Sequence, residues 1–152
     1  MTRRAVKIAV GSGVAALALA AVVVPSVLPT SSDDYRNTAL TTVEQSLSQV
    51  RTTELVVTAD IDGKVLAPYR SAVLWQARDA LATAADDFTA KEIPDSASVS
   101  LHDECAPLLT EAGAEIAAVT AAADTGQDAE RAVAAKLHKT GELLAGFLER
   151  HR

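Results

Sequence analysis

Residues Ile8 to Leu28 form an unbroken run of apolar and small side chains, with Arg3, Arg4 and Lys7 before it and Asp33 and Asp34 shortly after. No other feature constrains the chain as much. As a helix rising about 1.5 Å per residue, a run of this length crosses a hydrocarbon core of roughly 30 Å, and cations on its N-terminal side orient that end toward the cytoplasm. The sequence therefore predicts three parts: a signal-anchor or transmembrane helix over residues 1–28, a short tether over 29–32, and an extracytoplasmic domain over 33–152. A competing expectation is secretion after cleavage at Ala18-Leu19-Ala20, which fits the small-x-small pattern of a signal peptide. Cleavage there leaves AVVVPSVLP at the start of the product, and the run exceeds the usual signal core, so the anchor is the preferred reading. The Arg3-Arg4 pair is explained by the positive-inside rule without a twin-arginine signal.

Charge narrows the function classes. All 20 acidic residues but only 11 of the 14 Lys and Arg fall after Ser32, which leaves the exported part with nine net negative charges. Nucleic acid is excluded as an expected partner, because phosphate binding needs clustered cations. Aromatic residues make up 3% of the chain and the apolar remainder is mostly Ala, Leu and Val, a composition that suits closely packed helices rather than sheets. The single cysteine, Cys105, forms no internal disulfide, so the core must hold without one.

Apolar periodicity then predicts four helices. The first runs from Asp33 to about Ala59 with Ala39, Val43, Leu47, Val50 and Val57 on one stripe. Asp60 to Ala67 breaks the pattern, and although Asp62-Gly63 is also a hairpin signal, helical pattern on both sides favours an interhelical loop. The second helix starts at Pro68, where a missing N–H costs nothing, and runs to about Ala90 with Tyr69, Val73, Ala77, Ala80, Leu81, Ala84 and Phe88 facing one way. Lys91 to Ser100 reads as a loop. Ser100 and Asp103 resemble a capping box, with Pro107 placing the start of regular helix a few residues later. The third stripe is Cys105, Leu108, Leu109, Ala112, Ile116, Val119 and Ala123. After a tight break at Asp124-Thr125-Gly126, the fourth helix carries Val133, Leu137, Leu144, Phe147 and Leu148. The expected fold is all-α, an up-down-up-down four-helix bundle outside the membrane.

Few residues invite a functional reading. At 100° per residue Trp75 falls far from the apolar stripe of its helix, beside Ser71, Arg78, Asp79 and Asp86, so it is a candidate protein contact, with Arg78 and Asp79 beside it. Burial under a rotated helix or a covering loop is the competing account, since tryptophan is usually largely buried. Glu54 interrupts the first stripe and is expected either to meet Arg51 on the same helix or to stand in water. His102, Asp103, Glu104 and Cys105 resemble a ligand cluster, but one helical turn presents only one pair on a side, so no metal and no cofactor is expected. No phosphate loop or nucleophile–base arrangement supports an enzyme.

The segments Val50 to Glu54 (VRTTE), Gly63 to Tyr69 (GKVLAPY) and the later GELLAGF resemble small, functionally uncharacterised exported or membrane-anchored helical-bundle proteins common in actinobacteria. The resemblance covers most of the exported part without a diagnostic motif. It implies an extracytoplasmic helical fold and transfers no activity and no site residue. The expected role is a non-enzymatic interaction or envelope accessory module held at the membrane through residues 8–28. The alternative is a bundle that binds or senses a lipid or small amphiphile in a cavity between its helices.

Overall fold

The computed structural model describes residues 30–152; the expected membrane run and its cleavage site lie outside them. The described residues form four helices: α1 (Ser32–Ile61), α2 (Ala67–Thr89), α3 (Ser96–Thr125) and α4 (Gln127–His151). There is no strand among the described residues, so Asp62-Gly63 turns between helices rather than between hairpin strands. No described helix is long and apolar enough to cross a membrane.

Local chemistry accounts for most of the helix ends. The Ser31 hydroxyl accepts the Asp34 amide at 3.1 Å and the acidic Asp33 and Asp34 occupy the positive first turn, so α1 starts at Ser32, slightly earlier than expected. It ends at Ile61, followed by Asp62 and by Gly63 at φ 69, a left-handed position that glycine takes without a Cβ clash. Pro68 sits in the first turn of α2. A single residue, Gly126, separates α3 from α4; its φ of 121 lies outside the range other residues adopt readily, and that reversal lets two long helices turn back on each other.

The start of α3 departs from the expected capping box. Asp95, rather than Ser100, caps it, accepting the Ser98 amide at 2.7 Å, and the helix begins at Ser96 and continues through Pro107. Pro107 is exposed, as is Asp103, whose carbonyl loses its helical partner, so water can satisfy that group and the helix persists. The Ser32 hydroxyl also bonds the Asp95 carboxylate, tying the starts of α1 and α3 together.

The helices alternate in direction. Tyr35 near the start of α1 lies against Phe88 at the end of α2, with ring centroids 5.5 Å apart, and Phe88 stacks on His102 near the start of α3 at 5.4 Å. Arg36 donates to the Arg152 carbonyl at 3.2 Å, bringing the end of α4 to the same place. Each helix packs on the next, α4 returns to α1, and α1 and α3 also touch across the middle, leaving the backbones of α2 and α4 apart. Fully buried Val43, Val50 and Val57 of α1, Ile116 and Val119 of α3, and Leu137, Leu144 and Phe147 of α4 fill the centre. Gly141 is buried on the side of α4 that faces α1, where a side-chain carbon would meet Leu47, Val50 and Arg51 at ordinary contact distances of 3.8 to 3.9 Å.

Candidate functional site

On α2 the buried residues are Ala77, Leu81, Ala84 and Phe88, and this fixes the rotation of the helix. Trp75 is consequently 70% exposed, with exposed Arg78 and Asp79 one turn along the same outer side. Neither Arg78 nor Asp79 forms an ion pair among the described residues. The three residues named from sequence thus share one surface. Trp75 also walls a groove of about 380 Å³ between α2 and α3, lined by apolar Ala67, Leu74, Ile116 and Ala117 and by polar Arg70, Ser71, Arg78, Thr120 and Asp124. Lower down, the Leu81 side chain of α2 packs over Gly113 of α3, and the groove lies beyond that contact toward the start of α2.

The sequence placed Tyr69 on the inner stripe of α2, and the structure overturns this. Tyr69 is 60% exposed, and its neighbour Arg70 turns inward with its side chain only 15% exposed. The Arg70 guanidinium reaches Asp60 of α1 at 2.9 Å, Glu130 of α4 at 3.1 Å and the Val119 carbonyl of α3 at 3.4 Å, so one side chain ties all four helices. The planar fork of arginine serves several acceptors at once, and its aliphatic stem covers apolar surface that a tyrosine would otherwise cover. One signal for this was present in the sequence: Glu130 continues the α4 stripe one turn before Val133 and Ala134, so a carboxylate was due at the packed surface.

Glu54 also departs from expectation. It meets His138 of α4 at 3.0 Å, while Arg51 reaches across to Glu142 at 3.1 Å instead of pairing with Glu54 on its own helix. Both pairs bridge α1 and α4, which pack directly on each other.

The His102 to Cys105 segment is dispersed by the helix. His102 bonds the Tyr35 hydroxyl at 2.9 Å, Glu104 meets His151 at 3.0 Å and Arg150 at 3.5 Å, and Cys105 is fully buried. Burial pushes the Cys105 thiol up to about 12, which leaves it protonated and unreactive at neutral pH. Burial, reinforced by Cys105 and Asp103, raises the Tyr35 phenol above its ordinary value. The hydrogen bond from His151 is the main reason the Glu104 carboxyl lies below the usual range. Among the described residues no group of three or more His, Cys, Asp or Glu is placed to hold a metal.

No protein-family model matches this chain, and neither a curated protein nor a solved structure matches it.

Proposed function

We propose that the chain is a single-pass membrane protein, anchored through residues 8–28, whose extracytoplasmic bundle is a non-enzymatic interaction or envelope accessory module. The observation that carries the reading is Trp75, 70% exposed beside Arg78 and Asp79 on the outer face of α2. A large aromatic held in water forgoes the stability its burial would bring, and aromatic side chains flanked by charge are the usual anchors of protein contacts. Leu55 on α1 is comparably exposed at 69%, which makes it the natural control. With a photoreactive amino acid at position 75 of the full chain in intact cells, a discrete adduct is expected that is missing when the same group replaces Leu55. Equal labelling from both positions would remove the reading. Attachment is tested separately: the full-length chain should fractionate with membranes, and a soluble product beginning at Ala21 would replace the anchor with secretion.

The groove favours a second reading, binding of a lipid or small amphiphile, because its volume falls within the range of small-molecule sites and its lining joins apolar Leu74, Trp75 and Ile116 to polar Arg78, Thr120 and Asp124. Trp75 is the only tryptophan of the chain and walls this groove, so its fluorescence reports occupancy directly. A saturable blue shift with a monomeric fatty acid or lysolipid would support ligand binding. Unchanged emission would leave the interaction module alone.

A further inference from the structure

We propose that the Trp75 face of α2 pairs with the same face of a second copy of this chain, the two α2 helices running parallel about a two-fold axis between them. The inference rests on the interaction reading and names the occupant of that surface. Turning about 100° per residue, Ala82 falls within about 20° of Trp75, Ser71 and Arg78 fall to one side, and Ala72 and Asp79 fall to the other. All six are exposed. Apart from Trp75, Arg78 and Asp79 the surface is small, so a second helix can approach closely, and a shallow hollow bounded by Trp75, Arg78, Asp79 and Ala82 is already present.

Charge decides the direction of pairing. A two-fold axis parallel to the helices exchanges left and right flanks, so Arg78 of each copy faces the partner's Asp79 at nearly the same height, giving two ion pairs around a central tryptophan contact. In an antiparallel pair each flank meets its own kind, arginine against arginine and aspartate against aspartate, which is repulsive. Both residues lack an ion-pair partner within the described bundle, so pairing does not require breaking a bond already made. Asp86, also exposed and about 20° from Trp75, meets its counterpart in this arrangement, so contact is centred between Trp75 and Ala82 and weakens toward the end of α2. A parallel pair also places the starts of both α1 helices at one end, where two chains anchored in a single bilayer would have them. Such anchoring raises the effective concentration of a modest contact.

The test uses the full chain in its native membranes with Ala82→Cys. Parallel pairing brings the two introduced thiols to the axis, within the Cα separation of about 4.4–6.8 Å that a disulfide needs, and mild oxidation should give a species of twice the mass. The unsubstituted chain provides the background, since buried Cys105 is its only thiol. Gln76→Cys, about 100° away on α2, should give no such species. In the Ala82→Cys chain, Arg78→Asp or Asp79→Arg alone should reduce the dimer about fivefold, and co-expressing the two should restore it, because each aspartate then faces an arginine. Asp86→Asn should increase it. A dimer indifferent to these charges, or equally strong from Gln76→Cys, would overturn the inference. An adduct of position 82 with a different polypeptide would overturn self-pairing and keep the interaction module; no adduct from position 82 together with no photo-adduct from position 75 would remove both.

Discussion

At one end of the bundle the helices close around rings, and at the other around a guanidinium. Tyr35, Phe88 and His102 stack near the start of α1, with Tyr35 and Phe88 fully buried and the nearby ion pairs of Glu104 and Arg152 left in water. Near Gly126, Arg70 holds Asp60, Glu130 and the Val119 carbonyl in a half-dry setting. The aromatic end gains from area removed from water and tolerates imprecise geometry. The ionic end gains little net energy from its charges, since desolvation offsets attraction, but it penalises any arrangement that leaves a carboxylate alone. Stability is thus expected to reside mainly at the Tyr35 end, and the relative height of the helices to be set at the Arg70 end.

The largest break in this contrast should come from Phe88→Ala, which opens a cavity between three helices. We expect a loss of about 4 kcal/mol, read as a lower midpoint in a denaturant melt. Arg70→Met comes next. It leaves Asp60 and Glu130 facing each other without a counter-charge, at about 3 kcal/mol, and adding Asp60→Asn and Glu130→Gln should recover most of that. If Arg70→Met costs no more than Ala at exposed Arg51, the four-helix tie contributes nothing and the contrast fails.

Trp75, between the two ends, supplies the reference for a surface position. Its replacement by alanine should change stability by less than about 1 kcal/mol, against about 3–5 for a core tryptophan, and a large fall in midpoint would make it structural. The smallest effect is expected at the Glu104–His151 pair of the aromatic end. Its folded-state carboxyl lies below the ordinary value of 4.5, so the contribution is present above that value and fades as the pH falls through the lowered one. His151→Ala should flatten this part of the acid-side stability profile, and an unchanged profile would show that the pair carries no weight.

Much of the molecule was legible in the chain because helices announce themselves locally. The stripes through Val43, Leu81, Ile116 and Leu144 recur at the helical period, and the same angular reasoning put Trp75 outside. Tyr69 misled because positions 69 and 70 both border the stripe, and hydrophobicity favours the tyrosine unless two carboxylates wait at the height of its neighbour. Ser100 misled because its spacing to Asp103 matches a capping box, and Pro107 because it looked like a start signal, whereas the exposed side of an established helix accommodates a proline. The Glu54–His138 pair had no local trace at all, since 84 residues separate its members.

Periodicity and caps that act within a few residues dictate, among the described residues, how many helices form, nearly all of their breaks and the face each turns inward. Which side chains meet across helices follows instead from how the helices pack: Arg70 with Asp60 and Glu130, His102 with Tyr35, Arg51 with Glu142. Those meetings depend on the relative height of neighbouring helices, where a shift of a single residue moves a side chain by about 1.5 Å and turns it by about 100°. That height is set by the one-residue turn at Gly126 and the packing of the whole core.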